Sequence, residues 1–184
     1  FYPQQIKGIN MSEGGASIAQ EIGFSFSNAL CYLDECLRRG LNIDQLAGRL
    51  TFFFGTTLHL FEEVAKYRGA RRLWARLMKE RYGARDSASI AGLAQALGGA
   101  QATPHPGYDE VFAIPNEHSQ NLALGTQQIL AEETNITKTV DPLGGSYYVE
   151  WLTNRVEQEF QRVMAEVDRH GGALAAVESG YMKR

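Results

Sequence analysis

The sequence lacks most of the short motifs by which small functional domains are identified. Its 184 residues include only two cysteines and four histidines, and they contain no Cys-x-x-Cys, His-Glu-x-x-His, Gly-x-Gly-x-x-Gly or Gly-Lys-Ser/Thr motif. These absences argue against the common zinc, dinucleotide and phosphate-loop sites. The net charge of −3 gives no broad electrostatic attraction for nucleic acid or an anionic membrane, so neither is expected as a partner.

Long apolar runs and secretion signals are missing as well. No segment is apolar for long enough to span a bilayer, and no secretory signal stands at Phe1. Cys31 and Cys36 lie five residues apart in a predicted helix, a spacing that turns them to different faces and disfavours a disulfide. We interpret both as small core residues in a reducing compartment, which predicts a cytoplasmic or organelle-matrix location. A first residue that is Phe rather than Met indicates a fragment or a processed product.

What the sequence does contain is an alternation of strand and helix patterns. Apolar residues recur every three or four positions from Ile18 to Leu37, which predicts an amphipathic helix over 17–39. Further helices are predicted over 58–82, 88–98, 117–133 and about 149–169, with a short last helix, and strands over 4–10, 49–55 and 100–104. Because such alternation implies parallel strands joined by helical crossovers, a doubly wound sheet and part of a (β/α) barrel both fit.

The junction between the first strand and the first long helix is unusually polar. Its sequence, "INMSEGGA" over residues 9–16, brings an amide, a hydroxyl, a carboxylate and two glycines together. Loops at strand ends are where α/β proteins hold ligands on a rigid scaffold. Two interpretations stay open, namely a ligand-binding corner and a glycine-rich turn in which Ser12 is the helix N-cap.

The second long helix raises two further questions. We expect it to be capped by Thr56 and Thr57 and to bury apolar side chains that include Phe61. It also carries four arginines at helical spacing: Arg68, Arg71, Arg72 and Arg76. We interpret the arginines as a solvated face or as a surface for a partner's carboxylates, with phosphate contact as the less favoured alternative.

Isolated histidines and aromatic residues are the remaining candidates. His59 is expected to be a packed or surface residue, whereas His105, which lies between two prolines, is a candidate functional residue. In the string "VDPLGGSYYVEWLT" we interpret the aromatic residues Tyr147, Tyr148 and Trp151 as the packing of a loop.

Several strings, taken in order, resemble the catalytic subunit of the adenosylcobalamin-dependent acyl-CoA mutases, the methylmalonyl-CoA mutase family. They include "INMSEGGAS", "RLTFFFGTTLHLFEEVAKYRGARRLWARLM", "ALGGAQ", "YDEVFAIPNE", "TQQILAEET", "VDPLGGSYYVEWLT" and the tail "GGALAAVESGYMKR". The resemblance covers nearly the whole chain. Isobutyryl-, hydroxyisobutyryl- and ethylmalonyl-CoA mutases share these strings, so the resemblance does not specify the acyl group.

The resemblance implies a fold and a set of ligands. The family's large domain is a TIM-type barrel through which coenzyme A threads, and the corrin of cobalamin caps it from a separate flavodoxin-like domain. By resemblance this chain is the C-terminal part of such an α/β unit, a partial (β/α) barrel over 1–147 followed by C-terminal helices packed on it over 148–184. The implied cofactor is adenosylcobalamin and the implied substrate an acyl-CoA. The implied partners are a second mutase chain or a cobalamin-binding subunit, and an open half-barrel also predicts a homo-oligomer.

The resemblance also assigns expected site residues. In the family the polar corner reads roughly Gly-Tyr-His-x-x-Glu-Ala-Gly, where the Tyr and His touch the substrate and radical region and the Glu lies against the corrin. Ile9, Asn10 and Glu13 stand at those positions here. The resemblance therefore makes Asn10 a candidate catalytic residue and Glu13 and Gly14 candidate cofactor-binding residues. Gln101 matches a glutamine that reaches the adenosyl group. No metal ligand is expected.

Several positions depart from the family pattern. Asn10 can donate a hydrogen bond but cannot carry a positive charge or transfer a proton, and Ile9 offers no hydroxyl. The family's second histidine position is Pro104, so His105 is a candidate catalytic residue displaced by one position. One family strand is missing after Ile90, and the cobalamin-binding Asp-x-His-x-x-Gly pattern is absent.

Two hypotheses follow from these matches and departures. The first is a segment of an acyl-CoA mutase, an isomerase, that does not catalyse as this chain alone. The second is a non-catalytic, mutase-like protein with an interaction or structural role. Under the first hypothesis the missing parts of the site lie on another polypeptide chain, because radical rearrangement needs a chamber that excludes water.

Overall fold

A computed structural model describes residues 4–47, 50–57, 59–84, 116–133, 138 and 141–183. Their elements follow in the order β1 (Gln4–Lys7), α1 (Ile9–Glu13), α2 (Ile18–Arg38), α3 (Ile43–Ala47), β2 (Leu50–Phe53), α4 (Leu60–Glu80), α5 (Glu117–Glu132), α6 (Tyr147–Arg169), α7 (Ala173–Glu178) and a 3-10 helix (Tyr181–Lys183). The predicted helix over 88–98, the predicted strand over 100–104, and the candidates Gln101 and His105 lie outside the described residues.

The chain forms two compact units. The larger contains Phe1–Gly99 and Tyr147–Arg184, and the smaller contains Ala100–Ser146. In the smaller unit, Asn116 caps α5 by accepting a hydrogen bond from Ser119 N at 3.0 Å. None of the helices in the described parts of the chain is long and apolar enough to cross a membrane.

Strands β1 and β2 form a parallel pair in the larger unit. Gln4 pairs with Leu50 and Lys7 with Phe53, and α2 and α3 lie between the two strands along the chain. The prediction of parallel strands joined by helices is therefore confirmed for this pair. The sheet has two strands within the described residues, so it does not test the expected barrel.

Helix α2 matches its predicted bounds closely because both ends are marked in the sequence. Ser17 forms a capping box with Gln20: its side chain accepts from Gln20 N at 3.3 Å, and its own N–H donates to Gln20 Oε1 at 2.9 Å. The alternative in which Ser12 is the N-cap is wrong, because Ser12 lies inside α1. The apolar face of α2 is buried, as the three-to-four spacing predicts.

The core of the larger unit forms where α2, α4 and α6 pack beside the sheet. The rings of Phe26, Phe52 and Trp74 lie 4.9–5.3 Å apart in tilted and edge-to-face pairs. The predicted stripe of α6 supplies Val149, Leu152, Phe160 and Val167, all buried. Helix α6 therefore packs on α2 and α4 as part of the same unit.

Helix α4 begins differently from the prediction. Its N-cap is His59, whose side chain makes no capping hydrogen bond, and the Thr57 hydroxyl donates instead to Glu63 Oε1 at 2.9 Å. Phe61, expected to be buried, is 47% exposed. Both differences arise because the acidic side chain of Glu63, rather than an apolar one, turns inward in the first turn of the helix.

Candidate functional site

The polar corner lies at the carboxyl ends of the two parallel strands. The predicted strand over 4–10 is too long, because the chain turns at Gly8 and α1 begins at Ile9. A β-carbon at Gly8 would lie 2.6 Å from Phe54 Cδ1 and 2.8 Å from Ser25 Oγ, so only glycine fits there. The register places Gly8 and Phe54 just beyond the same edge of the sheet, where α/β proteins hold ligands.

The candidate residues of this corner face solvent. Asn10, Glu13 and Gly14 are exposed, whereas Ile9 is half-buried. Gly15 has a φ of 95°, in the left-handed region, and this turn separates α1 from α2. No described side chain hydrogen-bonds to the amide of Asn10 or the carboxylate of Glu13. The corner therefore offers one amide donor and acceptor and one carboxylate acceptor to a ligand.

Beneath the corner lies a buried cluster of three charged side chains, Glu21 of α2 with Glu63 and Lys66 of α4. Their side chains are 1%, 5% and 1% exposed. Lys66 Nζ lies 3.2 Å from Glu21 Oε2 and 2.6 Å from Glu63 Oε2, the latter an ion pair without hydrogen-bond alignment. Two carboxylates and one ammonium give the cluster a formal charge of −1 when all three are ionised.

The buried cluster holds the turn that follows β2. Glu21 Oε1 accepts from Gly55 N at 2.7 Å, and Lys66 Nζ donates to Gly55 O at 2.6 Å. Glu63 Oε1 accepts from Thr57 N at 3.1 Å and from the Thr57 hydroxyl at 2.9 Å. The Tyr67 hydroxyl also donates to Gly55 O at 3.2 Å, and burial raises the pKa of Tyr67. Each backbone group named here is thus matched to a buried or half-buried side chain.

Sequence reasoning missed this cluster. Glu21 follows Ile18 and precedes Ile22 on the apolar face of α2, and Lys66 lies one turn before Ala70 in α4. A charged residue in the middle of an apolar stripe is the signal that could have found it, because such residues are rarely buried without a partner. The contacts themselves join residues 34 and 45 positions apart, which periodicity does not reveal.

Three of the four arginines of α4, Arg68, Arg72 and Arg76, pair with carboxylates on α6 of the same chain. We call these contacts the arginine ladder: Arg68 donates to Glu150 at 2.6 Å, Arg72 pairs with Glu157 and donates to Asn154 at 2.7 Å, and Arg76 lies 3.1 Å from Glu157. The arginines Arg72 and Arg76 are 42% and 44% exposed, whereas the Glu157 side chain is 5% exposed. The ladder therefore joins two helices of one unit.

The aromatic residues near the start of α6 do not pack a loop, so that interpretation is wrong. The helix begins at Tyr147, and Tyr147, Tyr148 and Trp151 are 95%, 52% and 56% exposed. Phe61 lies edge-to-face with Tyr148 at 5.7 Å, and Tyr148 stacks with Trp151 at 6.0 Å. Phe61, Tyr148 and Trp151 therefore form an aromatic patch on the surface of the larger unit.

The two cysteines and the potential metal ligands can be located among the described residues. Both cysteines are free, but Cys31 is exposed, so its interpretation as a core residue is wrong. No group of three His, Cys, Asp or Glu side chains that could hold a metal occurs among the residues the structure describes. His59 is exposed, in agreement with the surface alternative expected for it, and His118 is exposed as well.

Comparison with known proteins identifies relatives over the full chain. The sequence model described as methylmalonyl-CoA mutase matches residues 1–92 and 88–184. The chain is 39% identical to the 2-hydroxyisobutanoyl-CoA mutase large subunit of Aquincola tertiaricarbonis, 37% to a methylmalonyl-CoA mutase of Rhizobium meliloti and 34% to one of Escherichia coli. All of the chain aligns in each case, and it spans 38%, 30% and 29% of those relatives.

The matches also locate an internal deletion. The two family matches meet at residues 88–92, beside the gap that the sequence predicts after Ile90. Alignments of 210 or 211 residues exceed the 184 of this chain, so the relatives carry additional residues within the matched region. The strings quoted above and the polar corner both lie inside the matched ranges.

Proposed function

The chain belongs to the methylmalonyl-CoA mutase family, and we propose that it is a segment of a cobalamin-dependent acyl-CoA mutase, a carbon-skeleton isomerase, which does not turn over as this chain alone. The observation that carries the proposal is a match of the whole chain to mutases of which it spans about a third. In this proposal residues 1–147 belong to a partial (β/α) barrel and residues 148–184 to helices packed on it.

The proposed site is the corner at the carboxyl ends of β1 and β2. Asn10 orients the acyl thioester by donating a hydrogen bond, and Glu13 and Gly14 form the side that faces the cofactor. Adenosylcobalamin, when bound, supplies the radical chemistry, and the protein supplies binding and orientation. The side-chain amide of Asn10 donates a hydrogen bond but does not transfer a proton. Its proposed role is therefore to orient the substrate rather than to act as a general acid.

The described residues fit one side of a site for such a large cofactor. Glu13, Gly14 and Gly15 are exposed, and a β-carbon at Gly15 would meet no atom within 4 Å, so the surface there is open. An open surface can contact a corrin but cannot exclude water from a radical intermediate. The proposal therefore places the remaining wall, including acyl-CoA contacts, on a second mutase chain or a cobalamin-binding subunit.

The experiment expresses this chain with the mutase polypeptide that precedes the matched region and a cobalamin-binding subunit. We expect isomerisation of an acyl-CoA in the presence of adenosylcobalamin, and a large loss in Glu13→Gln. The matched control is Glu62→Gln, an exposed carboxylate in the first turn of α4. An assembled, folded complex that neither binds adenosylcobalamin nor isomerises any acyl-CoA would overturn the proposal.

A non-catalytic interaction protein is the second candidate, and one observation favours it. The aromatic patch of Phe61, Tyr148 and Trp151 is exposed, and contiguous exposed apolar surface marks interaction sites. We propose that a second copy of the chain covers it, which agrees with the predicted homo-oligomer. Light scattering should give a dimer mass that falls to the monomer in Trp151→Ser, and a monomer at high concentration would contradict this. The cytoplasmic location stays a prediction.

A further inference from the structure

Each member of the buried cluster reaches the backbone of the same short turn. Glu21 binds the Gly55 N–H, Lys66 binds the Gly55 carbonyl, and Glu63 binds the Thr57 N–H and hydroxyl. The hydrogen bond from Lys66 to Glu21 links α4 to α2. The other hydrogen bonds of the three charged side chains named here go to the turn at residues 55–57, which follows β2.

That turn touches the helix which carries the candidate site residues. A β-carbon at Gly55 would lie 3.1 Å from Ser12 Oγ and 3.6 Å from Glu21 Oε1, so Ser12 and the cluster both approach the same glycine. Ser12 belongs to α1, between Asn10 and Glu13. Gly55 therefore lies between the buried charges, which bind its backbone, and Ser12 of the exposed corner.

Stability alone does not account for these charges. A buried ion cluster is often no more stabilising than apolar side chains of the same volume, because removing the charges from water is costly. Apolar side chains, however, would leave the N–H of Gly55 without a partner and its carbonyl with the Tyr67 hydroxyl alone. The polar cluster is suited to fixing backbone groups in one arrangement.

We infer that Lys66 is a positioning residue: with Glu21 and Glu63 it fixes the turn at residues 55–57, and through Gly55 and Ser12 it sets the orientation of Asn10 and Glu13. The contacts of Gly55 support the positioning of α1. That a ligand binds to α1 rests on the proposed function.

The variant that tests the inference is Lys66→Met with Glu21→Leu. It removes the two charged side chains that bind Gly55 and leaves the Tyr67 hydroxyl in place. It also keeps similar volumes and keeps the formal charge of the cluster at −1, so no additional buried charge is left unpaired. The matched control is Lys79→Met with Glu80→Leu, the same pair of changes at exposed positions of α4.

The measurement is amide hydrogen exchange by NMR on the full 184-residue chain. We expect the Gly55 amide to exchange about tenfold faster in the double variant. The Met11 and Ser12 amides should accelerate, and the resonances of Asn10 and Glu13 should shift. Amides around Phe160 in α6, and every amide in the control, should stay unchanged. Acceleration at Gly55 alone, or equally at all amides, would overturn the inference.

A milder variant covers the case in which the double variant does not fold. Tyr67→Phe removes the hydroxyl that donates to Gly55 O and leaves all three charges in place. Its Gly55 amide and the α1 resonances should change in the same direction by a smaller amount. Unchanged α1 resonances in Tyr67→Phe would also overturn the inference.

A second arm separates the inference from the proposed function. In the assembled mutase, the double variant should bind adenosylcobalamin about tenfold more weakly than the control. Equal affinities would show that the turn does not position the ligand-binding residues. Failure of the unaltered assembly to bind adenosylcobalamin would contradict the proposed function and leave the exchange result standing.

Discussion

Two groups of ion pairs on helix α4 differ in burial although their chemistry is similar. At the first turns of the helix, Lys66 and Glu21 are each 1% exposed and bind the backbone of a neighbouring turn. Further along, Arg72 is 42% exposed and pairs with Glu157 of α6. The buried cluster orders a strand-end turn beneath the candidate site, whereas the arginine ladder joins two helices at the surface.

The comparison shows that burial, rather than the number of ion pairs, decides what each group does. Water screens Arg72 and Arg76 and solvates them when their partner is lost, so each of these two ion pairs contributes little by itself. Water does not solvate a buried charge in this way. Removing the Lys66 ammonium therefore leaves the carboxylates of Glu21 and Glu63 without a cation.

The largest effect is expected from Lys66→Met alone. It leaves Glu21 and Glu63 buried together, and breaking a buried ion cluster in this way costs about 3–5 kcal/mol in the free energy of unfolding. Urea denaturation followed by circular dichroism measures the loss. Lys79→Met, at an exposed position of the same helix, is the control and should change the free energy by less than about 0.5 kcal/mol. Equal losses in the two variants would remove the distinction drawn here.

A smaller effect is expected in the arginine ladder from Glu157→Gln. The carboxylate is buried but its arginines are half-exposed, so we expect a loss of about 1 kcal/mol after allowing for solvent screening. The same urea titration measures it, with Glu159→Gln as the control on the same helix. A loss as large as that in Lys66→Met would mean that the ladder is as critical as the buried cluster.

The hydrogen bond between the half-buried Tyr82 and Asp34 predicts a pH dependence of stability. Burial, followed by the hydrogen bond to Asp34 at 2.6 Å, raises the pKa of Tyr82 above its ordinary value near 10. The folded protein then holds this proton where the unfolded chain releases it. The contribution is therefore present below about pH 10 and is lost as the pH rises further. Urea titrations between pH 9 and 11 should show a flatter decline in Tyr82→Phe than in Tyr32→Phe. Identical slopes would contradict the assignment.

The smallest effect is expected at Glu35, whose side chain is 42% exposed. Hydrogen bonds from Arg38 and then Arg39 lower the pKa of Glu35 to about 2. A depressed carboxyl pKa stabilises the folded state above the ordinary value of 4.5, and that contribution disappears as the pH falls from 4.5 towards 2. Glu35→Gln should remove this part of the acid dependence, and added salt should weaken it in the unaltered protein. A dependence unaffected by either change would contradict this assignment.

Local pattern predicted the described helices well, because the apolar stripes and the ends of α2 are encoded within a few residues of each element. The spacing from Ile18 to Leu37 and the glycine at Gly40 are visible without any tertiary contact. The parallel pairing of β1 and β2 also followed, since strands separated by a helix pair in that direction.

The remaining features depend on contacts between distant segments. The inward turn of Glu63, and with it the exposure of Phe61, follows from hydrogen bonds to Thr57 and from Lys66, which periodicity does not encode. The resemblance assigned Asn10 and Glu13 to the site, and the structure places both at the carboxyl end of β1. It could not indicate the buried charges below them, because those belong to the packing of α2 on α4.

The most direct test of the account is an isomerisation assay on the purified 184-residue chain, supplied with adenosylcobalamin and a series of branched and hydroxylated acyl-CoAs. The account predicts no isomer, because the described corner is open and a radical rearrangement requires an enclosed, dry site. Addition of the completing mutase polypeptide should produce turnover. Conversion of any of these acyl-CoAs by the chain alone would contradict the account.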